Sequence, residues 1–251
     1  MVIQRLYLGL CRAGWLGLNG DMSRTAEAAQ VDLQEVVDHV SAEDFTCLGA
    51  RAALRKKTIS VHHYGEFGAS AEIGQMHEDL VTFTRTTQFS AKSFASFVAV
   101  FDEMDCPAEA HFERRLWELL QALHGHDAAL GHGWHPDYET DPASPRFAYC
   151  VGGHPFFVVG MHPGASRPTR RFRRPAMVFN SHIQFWALQE HFFTMRERIR
   201  EREIAAHGSV NPSFLAYEDE ARHYGGRFTE GDWACPFRAA AGVKVGVALP
   251  G

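Results

Sequence analysis

The sequence lacks the cysteine pattern of a disulfide-stabilised or zinc-binding protein. Disulfide frameworks and structural zinc sites need paired or closely spaced cysteines, and this chain has no CxxC pair. Reduced thiols in a cytoplasmic protein are therefore expected. The five widely separated cysteines are Cys11, Cys47, Cys106, Cys150 and Cys235.

Long apolar runs and an excess of basic charge are also missing. No stretch reaches the roughly 18 uninterrupted apolar residues of a membrane-spanning helix. The formal net charge is -5, and a mildly acidic chain has no electrostatic reason to bind nucleic acid or an anionic membrane. We therefore expect neither a nucleic-acid partner nor a membrane partner.

The motifs of several common enzyme classes are absent as well. The chain has no GxGxxG after a strand, no GxxxxGK[ST], no GxSxG and no CxxCH. Nicotinamide binding on a Rossmann fold, P-loop chemistry, a serine hydrolase and covalently attached c-type haem are therefore unsupported. In contrast, histidine is abundant, with 15 residues, which favours metal or acid–base chemistry although surface histidines are common.

Apolar periodicity predicts helices and strands without a regular βαβ rhythm. This pattern indicates an α+β fold with a mixed or antiparallel sheet and flanking helices. We predict a poorly ordered leader over 1–22, a single domain over 23–240 and a tail over 241–251. The predicted helices are 22–45, 74–89, one that follows Pro107, and 181–207, and the predicted strands are one around Ile59 and Val61, 93–101, a hairpin around Gly152–Gly153, and 175–180.

One stretch, "GGHPFFVVGMHPGASRPTRRF" at 152–172, combines imidazoles, an apolar strand and arginines. His154 and His162 stand at the two ends of the strand, where a rigid scaffold can position functional side chains. Clustered guanidiniums pair with carboxylates or phosphates, although a solvated basic loop explains arginines alone. Together the features match what haem requires, namely an apolar wall, an axial imidazole and partners for two propionates. The polar residues that follow the strand are Ser166, Arg167, Arg170, Arg171, Arg173 and Arg174.

A second segment, "FNSHIQF" at 179–185, places His182 and Gln184 in the first turn of a helix that Asn180 or Ser181 caps. The positive end of a helix keeps an imidazole neutral, as a metal ligand or a base. A capping element with a core histidine explains the segment equally well. Among iron ligands, we place His162 first and His182 second.

Two further groups of residues offer alternatives for a metal centre. The histidine-rich segment 124–142 is interpreted first as a solvated loop, then as the rim of an active site and last as a metal centre, because its intervals fit no H-x-E or HExxH pattern. Cys235 and Cys47 lie in apolar contexts, and a thiolate could bind iron. Buried cysteine is more often a small hydrophobic residue, so histidine ligation is favoured.

Seven segments between residues 45 and 237 resemble the YqcI/YcgG family, and within it the haem-dependent guanidine and arginine N-hydroxylases. They are, in order, "FTCLGARAAL", "SFASFVAVF", "FERRLWELLQALHGHD", "FFVVGMHPGASRPTRRF", "PAMVFNSHIQF", "IREREIAAHGSVNP" and "WACPF". Trp186 replaces a glutamate that is frequent after FNxHxQF, and "YEDEARHYGGR" replaces a typical "GExSEARQYSGR". These departures bear on the identity of the substrate more than on that of the cofactor.

The resemblance implies a haem b monooxygenase that converts L-arginine, or a close analogue, to N-omega-hydroxy-L-arginine in specialised-metabolite or antibiotic biosynthesis. Its partners would be an arginine-like small molecule, an electron donor or peroxide, and a second copy of the chain in a homodimer. Glu113, Asp137 and Asp141 are the candidate carboxylates for the guanidinium. A haem-binding carrier or sensor without turnover is the alternative, and an arginine-rich binder of phosphorylated metabolites is a third. The implied cofactor-binding residues are His162, Ser166, Arg167, Arg170, Arg171, Asn180, His182 and Gln184.

Overall fold

The computed structural model describes residues 21–90, 93–102, 108–188, 190–210, 219–241 and 243. The predicted leader over 1–22 lies outside the described residues except for its last two, which begin the first helix. Most of the predicted tail over 241–251 also lies outside them. The predicted domain over 23–240 is described apart from the gaps between these ranges.

A mixed sheet of five strands forms the centre of the fold. The strands are β1 (Ile59–Tyr64), β2 (Ser96–Phe101), β3 (Tyr149–Val151), β4 (His154–Met161) and β5 (Ala176–Ser181). Their order in the sheet is β1-β2-β5-β4-β3. β1 and β2 run parallel, and all other neighbours are antiparallel.

Helices flank this sheet, which confirms the predicted α+β class. Among the described residues the α-helices are α1 (Asp21–Ser41), α2 (Leu48–Lys56), α3 (Ile73–Thr86), α4 (Glu109–Ala129), α5 (His182–Trp186) and α6 (Glu190–His207). Within the described part of the chain, none of them has the length and apolar character needed to cross a bilayer.

The two faces of the sheet carry separate apolar layers, because successive strand side chains point to opposite faces. Phe97, Phe156 and Phe179 lie on one face and pack with α3 and α4. Val98 and Val178 lie on the other face and pack with α1 and α2. Helices therefore cover the strands on both sides, and the loops at the strand ends start from a rigid base.

The apolar stripe of α4 confirms the helix predicted after Pro107. Its members recur at helical spacing, so they share one face of the helix. Each is at most 2% exposed, and full burial of such a side chain stabilises a fold by roughly 1.5–3 kcal/mol. The stripe consists of Phe112, Leu116, Leu119, Leu120 and Leu123.

The sequence did not predict α2, whose alanines and basic residues stand directly before the strand predicted around Ile59 and Val61. The helix ends where Lys57 adopts a left-handed conformation with φ of 56°. The amide of Lys57 donates to the carbonyl of Leu54 at 3.0 Å. This ending turns the chain directly into β1.

The predicted single helix over 181–207 is wrong, because the chain breaks it into α5 and α6. Ser181 caps α5, and its Oγ accepts a hydrogen bond from the amide of Ile183. At the break, Leu188 is buried against Ala53 and Phe94. The turn after α5 places Leu188 in this small core. A continuous helix would not need such a turn.

Candidate functional site

His162 follows β4 and lies inside the protein, at 1% exposure. Its imidazole stacks on the ring of Phe112, with centroids 4.3 Å apart and planes 23° apart. Burial, opposed by Glu109 and reinforced by the Arg170 guanidinium, lowers the pKa of His162 to about 4. His162 is therefore a neutral imidazole packed between the sheet and α4.

Arg170, the most buried of the predicted anion-binding arginines, donates hydrogen bonds to backbone carbonyls. Its guanidinium reaches the carbonyls of Gly160 at 3.0 Å, His223 at 3.3 Å and Tyr224 at 3.4 Å. Burial lowers the pKa of Arg170 to about 10. These contacts fasten the segment around residue 224 to β4.

The neighbouring residues of the loop also contact the protein itself. Arg167 donates to Ser209 at 2.9 Å and to the carbonyl of Val210 at 2.9 Å. Arg171 donates to the carbonyls of Ala165 and Ser166 at 3.0 and 3.3 Å. Three more contacts complete the loop: the Ser166 amide with Glu109, Arg173 with Glu35, and Arg174 with Asp32 and Glu35.

Asn180 and Gln184, also predicted to bind the cofactor, fix the start of α5 to β2. Asn180 Oδ1 accepts a hydrogen bond from Ser96 Oγ at 2.7 Å. Gln184 is 1% exposed, and its Oε1 accepts a hydrogen bond from the amide of Ala95 at 2.9 Å. Both side chains therefore position the element that carries His182.

His182 is paired with a carboxylate that the sequence did not single out. Its Nε2 lies 2.9 Å from Glu220 Oε2, and the two side chains are 14% and 9% exposed. Glu220 also accepts a hydrogen bond from the hydroxyl of Tyr224. The ring of Tyr138 packs edge-on against His182, with centroids 5.1 Å apart.

Two more histidines complete a group that we call the His182 cluster: His135, Tyr138, His154, His182 and Glu220. Burial lowers the pKa of His154 to about 4, helped by the nearby imidazoles of His135 and His182. Burial also lowers the pKa of His135, against the effect of Asp137. Burial therefore favours the neutral form of His135 and His154, which lie near the His182–Glu220 pair.

A cavity of about 480 Å³ is lined by two segments that neighbour members of the His182 cluster in the sequence. Residues 140–143 follow Tyr138 after one intervening residue, and residue 219 directly precedes Glu220. The volume lies in the range of small-molecule sites, roughly 300–1,000 Å³. Its wall combines acidic, basic, aromatic and thiol side chains, among them Asp141, Asp219, Arg222, Trp233, Cys235 and Arg238.

Of the residues that the sequence singled out, the structure brings Asp141 and Cys235 to this cavity and His154 and His182 to the His182 cluster. None of the eight predicted cofactor-binding residues lines the cavity itself. Glu113 is buried at 5% exposure rather than lying on the helix surface, and its Oε2 accepts a hydrogen bond from Arg227 at 2.6 Å. Asp137 is exposed, with a carboxylate 3.9 Å from His135.

Tyr138 and Glu220 are the members of the cluster that sequence reasoning missed. Glu220 belongs to "YEDEARHYGGR", a segment in which the chain departs from the family motif and to which the sequence assigns no role. The histidine-rich segment 124–142 divides in the structure. His135 joins the His182 cluster, whereas Asp127 and His132 lie near His77.

Comparison with known proteins agrees with the segments quoted from the sequence. Residues 33–238 match the sequence profile described as the YqcI/YcgG family. A protein of Bacillus subtilis (strain 168) described as "Uncharacterized protein YcgG" is 24% identical over 136 residues. That alignment covers 52% of this chain and 52% of the relative, so the chain spans about half the length of this relative. No solved structure matches the chain.

Proposed function

The chain belongs to the YqcI/YcgG family, and from that premise we propose that it is a haem-dependent oxidoreductase that N-hydroxylates L-arginine or a close analogue on its guanidino group. The observation that supports this proposal is a cavity lined by both carboxylates and guanidiniums, beside the imidazole–carboxylate pair of His182 and Glu220. The product would be N-omega-hydroxy-L-arginine.

The charges of the cavity wall complement those of an arginine-like amino acid. Asp141 and Asp219 offer carboxylates to a guanidinium, and bidentate pairing of these groups fixes orientation as well as affinity. Arg238 donates through Nη1 to the carbonyls of Cys235 and Phe237, and Nη2 of the same guanidinium would bind the substrate carboxylate. Burial holds His135 and His154 uncharged, so the neighbouring imidazoles do not repel a cationic substrate.

The side chains of the His182 cluster are better suited to bind a haem iron than those around His162. His162 is stacked on Phe112, and the arginines beyond it already donate to protein carbonyls. His182 is partly exposed and shares its Nε2 with Glu220, which leaves Nδ1 for a metal. Metal-bound histidines usually pair their second nitrogen with such an acceptor. We therefore place His182 ahead of His162 as the iron ligand.

Cys235 is the second donor that fits, because it lines the cavity itself. Burial raises the pKa of the Cys235 thiol to about 12, so only a bound metal would deprotonate it at neutral pH. Haem would supply the oxidising power that oxygen transfer from dioxygen or peroxide to a delocalised guanidinium needs, which side chains alone do not have. The protein would supply the binding and orientation of the substrate.

Haem binding is the first test of this proposal. Protein purified from haem-supplemented cells should show a Soret band, and His182→Ala should abolish or greatly weaken it. His191→Ala is the matched control, because His191 is exposed on α6. A band that survives His182→Ala but disappears in Cys235→Ser or His162→Ala would move the ligand to that residue. Colourless protein that takes up no hemin would refute the proposal.

Turnover is the second test, and it separates the enzyme from a haem carrier or sensor. Haem-loaded protein would be given L-arginine with dioxygen and a reductant, or with peroxide, and the products analysed by mass spectrometry. We expect a product heavier than arginine by one oxygen atom, and a raised KM in Asp141→Asn and Asp219→Asn. A Soret band without any product from arginine or its analogues would favour the carrier.

A further inference from the structure

A second group of ligating side chains lies apart from the residues used above. His77 comes from α3, Asp127 from the last turns of α4 and His132 from the loop that follows α4. Their ligand atoms all lie within 4.8 Å of one another. His77 and Asp127 are each 3% exposed, and His132 is partly exposed. Two distant parts of the sequence, α3 and the end of α4 with the loop after it, thus converge on one point with an open side.

The contacts within this group orient its donors. His77 Nε2 lies 2.6 Å from Asp127 Oδ1. The amide of Gly152, in the β3–β4 turn, donates to the same oxygen at 2.8 Å. The ring centroid of His132 is 5.3 Å from that of His77. Carboxylates that bind metals are commonly held by such outer hydrogen bonds, and here one comes from the backbone of the turn.

We propose that His77, Asp127 and His132 bind a divalent transition-metal ion, with Zn²⁺ as the best fit. Two imidazoles and one carboxylate are the ligand set of zinc sites that keep a fourth position open for water. A tetrahedral site with bonds of about 2.0–2.2 Å separates its ligand atoms by roughly 3.3–3.6 Å. The observed spacing therefore needs only shifts of side chains, with Nε2 of His77 turned to its unprotonated tautomer.

The same three ligand types also suit ferrous iron in a site with open positions. Partial exposure of His132 gives an ion a path of entry from solvent. A buried His–Asp hydrogen bond alone would explain His77 and Asp127, but it gives no reason for a second imidazole on the open side. The convergence of all three donors is what favours a bound ion.

Metal titration of chelator-treated, haem-free protein tests the proposal. Co²⁺ would be added alone and followed by its visible absorption, and Zn²⁺ would then compete for the same site. We expect one tight Co²⁺ site per chain. His132→Ala and Asp127→Asn should each lower the affinity at least roughly 10-fold, because losing a metal ligand costs no less than losing a residue that only hydrogen-bonds to a ligand. His111→Ala is the matched control, because His111 stands at the start of the same helix, next to Arg114.

His132→Ala decides the outcome even if Asp127→Asn folds poorly, because His132 lies in a loop and is partly exposed. Circular dichroism would confirm the fold of each variant. Zn²⁺ should also raise the Tm of the wild-type protein and not that of His132→Ala, since a ligand that binds only the folded state stabilises it. Absence of a tight Co²⁺ site in the wild-type protein, or equal affinity in His132→Ala, would overturn the proposal. Neither readout depends on haem or on turnover.

Discussion

Arg170 illustrates how a single residue can have a function that its sequence context does not reveal. Its position in a cluster of arginines suggests an anion partner, yet its guanidinium donates to backbone carbonyls. One of them, that of Tyr224, lies 54 residues further along the chain. Local sequence contains no information about such a partner. For this reason the residue types of the basic loop could be predicted to matter, whereas their roles could not.

We predict that Arg170→Met lowers the free energy of unfolding by about 2–4 kcal/mol, because the buried carbonyls of Gly160, His223 and Tyr224 lose a charged donor. Urea denaturation of the cofactor-free protein would measure the change. Arg173→Met is the matched control from the same loop. Arg173 is 70% exposed and pairs with Glu35, and exposed ion pairs contribute at most about 1 kcal/mol. Equal effects of the two substitutions would contradict the structural role of Arg170.

Buried histidines should make the fold sensitive to mild acid. Burial lowers the pKa of His162 to about 4, compared with about 6.5 in an unfolded chain. Between these two values the unfolded chain binds more protons, so stability is intact above about pH 6.5 and falls as the pH decreases towards 4. His162→Phe removes this group and keeps an aromatic ring against Phe112.

When the pH decreases from about 7 to about 5, we expect the free energy of unfolding of His162→Phe to fall by about 2 kcal/mol less than that of the wild-type protein. Urea denaturation at both pH values provides the measurement. His191→Phe, at an exposed position on α6, should follow the wild-type protein. An unchanged pH dependence in His162→Phe would show that this imidazole is not held neutral by the fold.

Among the elements, those with strong apolar periodicity were predicted correctly and the interrupted ones were not. The helical spacing of the apolar residues in α4 and the continuous apolar run of β2 are enough to predict that these elements are buried. The break between α5 and α6 depends on Leu188 reaching a core formed by Ala53 and Phe94. The position of this break is set by packing between elements that are distant in the sequence. The apolar periodicity of one segment carries no information about such packing.

The contact between β4 and α4 leads to a prediction about Gly160. A Cβ at this position would lie 2.6 Å from Leu116 Cδ1 and from Phe112 Cε1, and 2.9 Å from the carbonyl of Tyr224. We therefore expect Gly160→Ala to destabilise the protein by about 1–3 kcal/mol through overpacking. Gly125→Ala is the control, because no atom lies within 4 Å of its added Cβ in α4. It should instead stabilise the helix by roughly 0.5–1 kcal/mol, as thermal denaturation would show.

At the scale of the whole molecule, the fold class was predictable and the candidate site was only partly so. A mixture of strand and helix signals without a regular βαβ rhythm was enough to indicate α+β. The His182 cluster draws its members from residues 135–138, 154, 182 and 220, and only His154 and His182 stood out in the sequence as candidate ligands. Tyr138 and Glu220 acquire their roles from proximity in the fold.

Both apolar layers use side chains of the same four strands, β1, β2, β4 and β5, so neither layer should survive the loss of the other. We therefore predict one cooperative unfolding transition for the cofactor-free protein, with coincident midpoints for secondary and tertiary structure. Far-UV and near-UV circular dichroism during urea denaturation would test this. Separate midpoints would contradict the prediction of a single domain over 23–240.

Tyr224 also closes a part of the sheet that β3 does not reach. Its carbonyl accepts from the amide of Gly160 at 2.8 Å, and its hydroxyl donates to the carbonyl of Phe156, the last residue of β4 that pairs with β3, at 3.1 Å. An uncovered strand edge is a template for pairing with another molecule. Proteolytic loss of the chain beyond residue 219 would expose this part of β4, so we expect the shortened protein to self-associate more readily than the intact one.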